Sequence, residues 1–123
     1  MSREPVHFLA DVENCLELIG TFIAGLDEGA FREDLRTVAA VERQFQIIGD
    51  AVKKVPMDVQ TLAPEVPWSL LARFRDVITH LYFRVDVREL WNAASVEAPL
   101  ILAAIRELRL NLEGGEDRPR ATP

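Results

Sequence analysis

The stretch LRTVAAVERQFQIIGDAV, residues 35–52, places apolar side chains at intervals of three and four positions. This spacing collects them on one face of an α-helix, because successive residues turn by about 100° around the helix axis. Polar and charged residues occupy the positions between them, so the opposite face suits water. The stretch predicts a long amphipathic helix with an apolar face formed by Leu35, Val38, Ala39, Val41, Phe45, Ile48 and Val52.

Three further segments, residues 8–26, 70–81 and 100–112, show the same periodicity. No stretch alternates apolar and polar residues in the manner of a β-strand. The sequence therefore predicts an all-α, up-and-down bundle of four to five helices. Residues that break helices separate the segments: Gly25, Gly29, Pro56, Pro64 and Pro67.

The end of the bundle can be located from capping residues and composition. Asp86 suits the N-cap of the last helical region, and Pro99 is expected to kink or restart that helix. After Leu112 the chain becomes polar and rich in glycine and proline. We predict a helical domain over residues 1–112 and a disordered C-terminal tail over residues 113–123.

Composition limits the class of protein and the ways in which it can bind a partner. A chain of 123 residues has room for one hydrophobic core. Its formal net charge of −6 gives no overall attraction to nucleic acid, so any RNA contact has to be local. The single cysteine, Cys15, is expected to be a small buried side chain. Charges interrupt every apolar run, and the start lacks a signal-peptide pattern, which predicts a cytoplasmic protein with no membrane partner.

The most informative polar residues lie in the third helical segment, where Arg75 is followed by His80 and Tyr82. On an ideal helix Arg75 and His80 lie about 140° apart, whereas Asp76 and His80 share a face. Two interpretations are open on these residues alone. They could be structural, with Arg75 paired to a carboxylate and His80 near a helix end, or they could form a site for a phosphate.

A longer set of features resembles the HepT-like branch of the HEPN superfamily. Residues 45–54, FQIIGDAVKK, resemble the signature of the family's second helix, which more often has glutamate where this chain has Asp50. Residues 64–68, PEVPW, resemble its proline–tryptophan entry to the motif helix. The motif itself and two later residues complete the resemblance: Arg75, His80, Tyr82, Asp86 and Trp91.

The resemblance implies a homodimer that cuts RNA without a metal or other cofactor, the toxin of a type VII-like toxin–antitoxin system. Arg75 and His80 would be catalytic, with Arg75 binding the phosphate and two copies of His80 serving as base and acid. Asp76 and Tyr82 would support them. The resemblance also implies a partner, a minimal nucleotidyltransferase antitoxin that transfers AMP to Tyr82, with further assembly into a larger hetero-oligomer.

Two other functions fit the same fold. The chain could be a non-catalytic helical partner of a nucleotidyltransferase, which the acidic charge and the lack of a broad basic groove favour. It could also be a nucleotide-binding helper subunit, which would bind ATP or another nucleotide near Arg75. The presence of Arg75, His80 and Tyr82 together favours the ribonuclease. The sequence contains no pattern typical of a zinc site or of a glycine-rich phosphate loop.

Overall fold

The computed structural model describes residues 4–80 and 86–117, and every regular element in these ranges is helical. The all-α class predicted from the sequence is confirmed. A π-helical segment, Ala93–Glu97, joins the last two helices. The α-helices are α1 (Glu4–Ile23), α2 (Glu28–Glu33), α3 (Leu35–Val52), α4 (Met57–Gln60), α5 (Trp68–His80), α6 (Val87–Asn92) and α7 (Ala98–Asp117).

Helix α1 lies between α3 and α7 and packs against both of them. It is antiparallel to α3, since Phe8 near its start lies 5.6 Å from the ammonium of Lys54, just beyond the end of α3. The buried faces of these helices form the main core, together with α5 on the other side of α3. Cys15 is buried in this core as predicted, and burial raises the pKa of its thiol to about 11, which keeps the thiol protonated.

The connection between α1 and α3 is more than the break in the helical pattern that Gly25 and Gly29 indicated. It contains the six-residue helix α2. Asp27 is the N-cap of this helix, and its side chain accepts a hydrogen bond from the amide of Ala30 (2.8 Å). Gly25 precedes it with a φ of 81°, a conformation that favours glycine. Phe31 of α2 is fully buried, with its ring centroid 5.2 Å from that of Trp91. A helix this short has too few residues to show a periodic pattern.

Helix α5 is anchored at its start by a buried tryptophan. The indole of Trp68 donates a hydrogen bond to the carbonyl oxygen of Ala63 (3.0 Å), which fixes the proline-containing connector against the helix. Farther along α5, Phe74 packs edge-on against Phe45 of α3, with ring centroids 5.1 Å apart. The connector contains a single helical turn, α4.

The last helical region starts as predicted, because Asp86 accepts a hydrogen bond from the amide of Arg88 (2.9 Å). Pro99 does not stop the helix. Proline has no N–H and its ring crowds the carbonyl four residues earlier, and the chain widens into the π-helical segment immediately before it. A side-chain bond from Ser95 to the carbonyl of Trp91 (2.7 Å) accompanies this widening.

The boundary predicted for the C-terminal tail was wrong by several residues. Helix α7 continues to Asp117, so residues 113–117, which we expected to be disordered, are helical. An ion pair between Arg109 and Glu113 (2.8 Å), one turn apart, stabilises this end of the helix. Residues 118–123 lie outside the described part of the chain. None of the described helices is both long enough and apolar enough to cross a membrane.

Candidate active site

Helices α3 and α5 approach each other closely at Gly49. A Cβ atom on this residue would overlap the Cβ of Arg75, and it would lie 2.8 Å from the Arg75 Cγ and 3.0 Å from the carbonyl oxygen of Leu71. The absence of a side chain at Gly49 therefore allows the stem of Arg75 to lie directly on the backbone of α3. This contact fixes where the guanidinium group begins.

The guanidinium of Arg75 lies against Asp50, the next residue of α3. Its Nε is 2.7 Å from the Oδ1 of Asp50, so the two charges form an ion pair. The Nε–H bond is not directed at that oxygen, and this buried atom has no hydrogen-bond partner among the described residues. Arg75 is thus held electrostatically while part of its hydrogen-bonding capacity is unused.

A second carboxylate, that of Asp76, joins Arg75 to the end of α3. Its Oδ1 accepts a hydrogen bond from the Nζ of Lys53 (2.8 Å) and a longer one from the Nη1 of Arg75 (3.4 Å). The hydrogen bond from Lys53 lowers the pKa of Asp76 most, and Arg75 adds to the effect. Asp76 is therefore ionised over the neutral range, and one of its oxygens bridges two cations.

The Arg75 cluster, defined as Asp50, Lys53, Arg75 and Asp76, contains two positive and two negative side chains. The sequence singled out Arg75 and Asp76 as site residues and assigned no role to Lys53 or Asp50. A glycine within an otherwise regular helix pattern, followed by charged residues one and four positions later, was the available signal for both.

The other predicted site residues lie at the edge of the described structure. His80 is the last residue of α5, and its backbone is helical. The His80 side chain and all of Tyr82 lie outside the described residues, so their predicted contacts with Arg75 and Asp76 stay predictions.

A groove of about 580 Å³ lies near the Arg75 cluster but does not include it. Its apolar wall comes from Phe45, Leu71 and Phe74, and its polar rim includes Arg88 and Glu89. Within residues 4–80 and 86–117, no group of three or more His, Cys, Asp or Glu residues is arranged to hold a metal ion. Among the described residues at the α3–α5 crossing, the Arg75 cluster therefore supplies the charged groups, and an apolar groove lies beside it.

Comparison with known proteins places the chain in a family. The model of the family described as "Ribonuclease HepT-like" matches residues 12–108, a range that contains α3, α5 and the Arg75 cluster. No solved structure matches the chain.

Individual relatives agree with the family match. A protein from Thermococcus cleftensis named "Probable ribonuclease HepT" is 38% identical over 109 residues, which cover 89% of this chain and 99% of the relative. A protein from Methanocaldococcus jannaschii named "Putative RNase MJ0127" is 32% identical over 110 residues, covering 89% of this chain and 91% of the relative. The family match spans most of the chain, and these relatives align along nearly their whole length. The chain belongs to the HepT-like ribonuclease family.

Proposed function

We propose that this protein is a cytoplasmic, metal-independent endoribonuclease and the toxin of a type VII-like toxin–antitoxin pair, active as a homodimer with its site at the subunit interface. The observation that carries the proposal is the state of Arg75. The guanidinium is fixed by the Gly49 contact and by Asp50, while its side chain stays 27% exposed and its Nη1 makes only a long hydrogen bond to Asp76 (3.4 Å) among the described residues. A cation held in place with unused donors is suited to receive a phosphate.

The proposed reaction is cleavage of RNA by its own 2′-hydroxyl. One His80 takes the proton of the hydroxyl as its oxygen attacks the phosphorus, and the His80 of the second copy gives a proton to the departing 5′-oxygen. Two histidines are needed because one group starts as the base and the other as the acid. Arg75 stabilises the negative charge that grows on the phosphate oxygens.

Asp76 and Tyr82 have supporting roles in this proposal. Asp76 stays ionised and helps to orient its neighbours, because its carboxylate bonds to both Lys53 and Arg75. Tyr82, two residues after His80, is the residue to which a minimal nucleotidyltransferase antitoxin would transfer AMP. An adenylate at that position would put a phosphate and a nucleoside in the RNA site, and this would block the site by charge and by bulk.

The test of the ribonuclease is cleavage of a labelled RNA in the presence of EDTA. We expect the wild-type protein to cut, and Arg75→Ala and His80→Ala each to lose most of the activity while remaining folded. Arg36→Ala is a matched control, since Arg36 is an exposed arginine at the start of α3, far along that helix from Gly49. Cleavage that survives in His80→Ala, or that requires added metal, would disprove the mechanism.

The test of regulation uses the antitoxin class directly. A minimal nucleotidyltransferase with ATP should add one adenylate to the wild-type protein and abolish its cleavage of RNA. Tyr82→Phe should gain no adenylate and should escape inhibition. Mass spectrometry and the cleavage assay read the two effects separately, and adenylation of Tyr82→Phe would show that another residue is the target.

A second candidate function is a non-catalytic partner of a nucleotidyltransferase. The net charge of −6 favours it, and so does the 580 Å³ apolar groove, which offers a surface to another protein. A folded dimer that neither cuts RNA nor is toxic when expressed alone would favour this function over the ribonuclease.

A further inference from the structure

We propose that Lys53 is a second phosphate-binding residue of this site, and that Asp76 holds its ammonium beside the guanidinium of Arg75 to receive an RNA phosphodiester. The inference rests on the proposed ribonuclease function and names a part of the RNA-binding surface that the sequence did not indicate. It concerns binding of the substrate, and it does not place Lys53 in proton transfer.

The placement of Lys53 is the first argument. Lys53 follows the last residue of α3, and its side chain reaches across to α5, where the Nζ lies 2.8 Å from the Oδ1 of Asp76. The Nη1 of Arg75 lies 3.4 Å from the same oxygen. Two cations from different helices thus share one carboxylate atom, and a phosphate at this edge can contact both.

The exposure of Lys53 is the second argument. Its side chain is 42% exposed, and an ammonium has three protons, of which one suffices for the hydrogen bond to Asp76. Exposed ion pairs contribute little to stability, whereas the close contact at Gly49 joins α3 to α5 without Lys53. A structural role as a bridge between the helices is therefore a weak explanation for this lysine.

The charge of the cluster is the third argument. Asp50 and Asp76 together carry one more negative charge than Arg75 can offset, on a protein whose net charge is already −6. Such a site would repel the phosphate that Arg75 is proposed to bind. Lys53 makes the Arg75 cluster neutral. It is thus needed electrostatically, in addition to any direct contact with the RNA.

The adjacent lysine provides an internal comparison. Lys54 has the same charge and is one residue away, but its Nζ lies over the ring of Phe8 in α1, 5.6 Å from the ring centroid. It therefore points to a different side of α3 from Lys53. Neutralising either lysine changes the net charge equally, so any difference between the two variants reports position and not total charge.

The experiment measures binding and cleavage separately with the full chain. The probe for binding is a single-stranded 2′-O-methyl RNA oligonucleotide, which lacks the nucleophile for cleavage, titrated at several NaCl concentrations. The probe for cleavage is the same sequence as unmodified RNA with EDTA present. The variants are Lys53→Met, Lys53→Arg and the matched control Lys54→Met, and thermal unfolding is recorded for each.

We expect Lys53→Met to bind the 2′-O-methyl RNA roughly tenfold more weakly, as loss of a charged hydrogen bond would do. The slope of log Kd against log salt should fall by about 0.7, the value for one lost phosphate contact on a single strand. Lys53→Arg should keep both values near wild type, and Lys54→Met should change neither. A residue that only bridges the helices would lower the melting temperature without changing the salt slope.

Three outcomes separate this inference from the proposed function. If the wild type cuts RNA and Lys53→Met behaves like Lys54→Met, the role of Lys53 is wrong and the ribonuclease stands. If the wild type binds RNA without cutting it and Lys53→Met loses binding, Lys53 is supported and the ribonuclease is wrong. If the wild type neither binds nor cuts RNA, both are wrong.

Discussion

Two clusters of arginine and carboxylate side chains join helices in this protein, and they use their arginines differently. In the first, between α1 and α7, Arg109 directs all three of its guanidinium nitrogens at carboxylates: Nε and Nη2 at Glu13, and Nη1 at Glu113. Arg106 adds bonds to Glu13 (2.9 Å) and to Glu17. In the Arg75 cluster, by contrast, Nε lies close to a carboxylate but lacks a hydrogen bond among the described residues.

The difference separates arginines that stabilise the fold from the arginine that we propose to bind a phosphate. Each of the three guanidinium nitrogens of Arg109 donates to a carboxylate, and its side chain is only 20% exposed. Its bonds satisfy Glu13, a carboxylate buried between two helices. Arg75 is fixed in position but keeps unused donors, and it precedes His80 by five residues in the sequence. Arg109, with all three of its nitrogens bonded to carboxylates, joins two helices, whereas Arg75 is the arginine that we propose to bind a phosphate.

The largest effect is expected when each arginine is replaced by lysine, which keeps the charge and removes the planar fork. Arg75→Lys should reduce RNA cleavage by on the order of 100-fold, with a melting temperature close to wild type. Arg109→Lys should lower the melting temperature and leave cleavage near wild type. It loses bonds to Glu13 and Glu113, which lie away from the Arg75 cluster. Cleavage rates and thermal unfolding of the two variants measure this. Equal loss of cleavage in both would remove the distinction between the clusters.

The next effect concerns the contact that positions Arg75. Gly49→Ala should destabilise the protein by about 1–3 kcal/mol, because the new methyl group collides with Arg75 and forces α3 and α5 apart. Cleavage should fall as well, since the guanidinium moves with its stem. Gly20→Ala is the control: a Cβ there meets nothing within 4 Å, and alanine should stabilise α1 by roughly 0.5–1 kcal/mol. Denaturant unfolding of both variants should give opposite signs.

A smaller effect is expected when one carboxylate in each cluster becomes an amide. Glu13→Gln should cost about 1–2 kcal/mol of stability, because it weakens the charged bonds from Arg106 and Arg109 in a buried setting. Asp50→Asn should leave stability nearly unchanged, since Asp50 is 51% exposed, and should lower cleavage by loosening Arg75. A stability loss in Asp50→Asn as large as that in Glu13→Gln would show that both clusters are structural.

The smallest effect is a dependence of stability on pH. The hydrogen bond from Arg109 is the main cause that lowers the pKa of Glu13 below its ordinary value of 4.5, although burial acts in the other direction. A carboxyl group with a lower pKa in the folded state stabilises the fold fully above pH 4.5, and this contribution is lost as the pH falls through the lowered pKa. The difference in melting temperature between wild type and Glu13→Gln should therefore be constant near neutral pH and shrink in acid. A constant difference at all pH values would contradict this account.

The local features of the fold could be predicted from the sequence, because each depends on neighbouring residues. The long amphipathic segments became helices, Asp86 became an N-cap, and Trp68 anchored α5. Helix α2 was missed because it is one and a half turns long and owes its place to the burial of Phe31, a tertiary contact. The extension of α7 was missed because Gly114 and Gly115 suggested a helix end that the bond between Arg109 and Glu113 opposes.

The candidate site was predictable only in part, for the same reason. Arg75 and Asp76 are adjacent in sequence, and their motif spacing drew attention to them. The bond between Lys53 and Asp76 joins residues 23 positions apart, and it exists only because α3 and α5 cross at Gly49. Periodicity identifies the face of a helix, but it does not give the point at which two helices cross. The roles of Asp50 and Lys53 follow from that point.

The π-helical segment before Pro99 determines which face of helix α7 is turned toward the core. Buried residues are spaced by four through the segment and by alternating three and four beyond it, which marks a wide turn followed by ordinary ones: Leu90, Ala94, Ala98, Ile101, Ile105 and Leu108. The wide turn works as one inserted residue. Removing a single residue there would rotate α7 by about 100°, turning Arg106 and Arg109 away from Glu13. The register between the first and last helices thus depends on a five-residue segment that lies outside both of them.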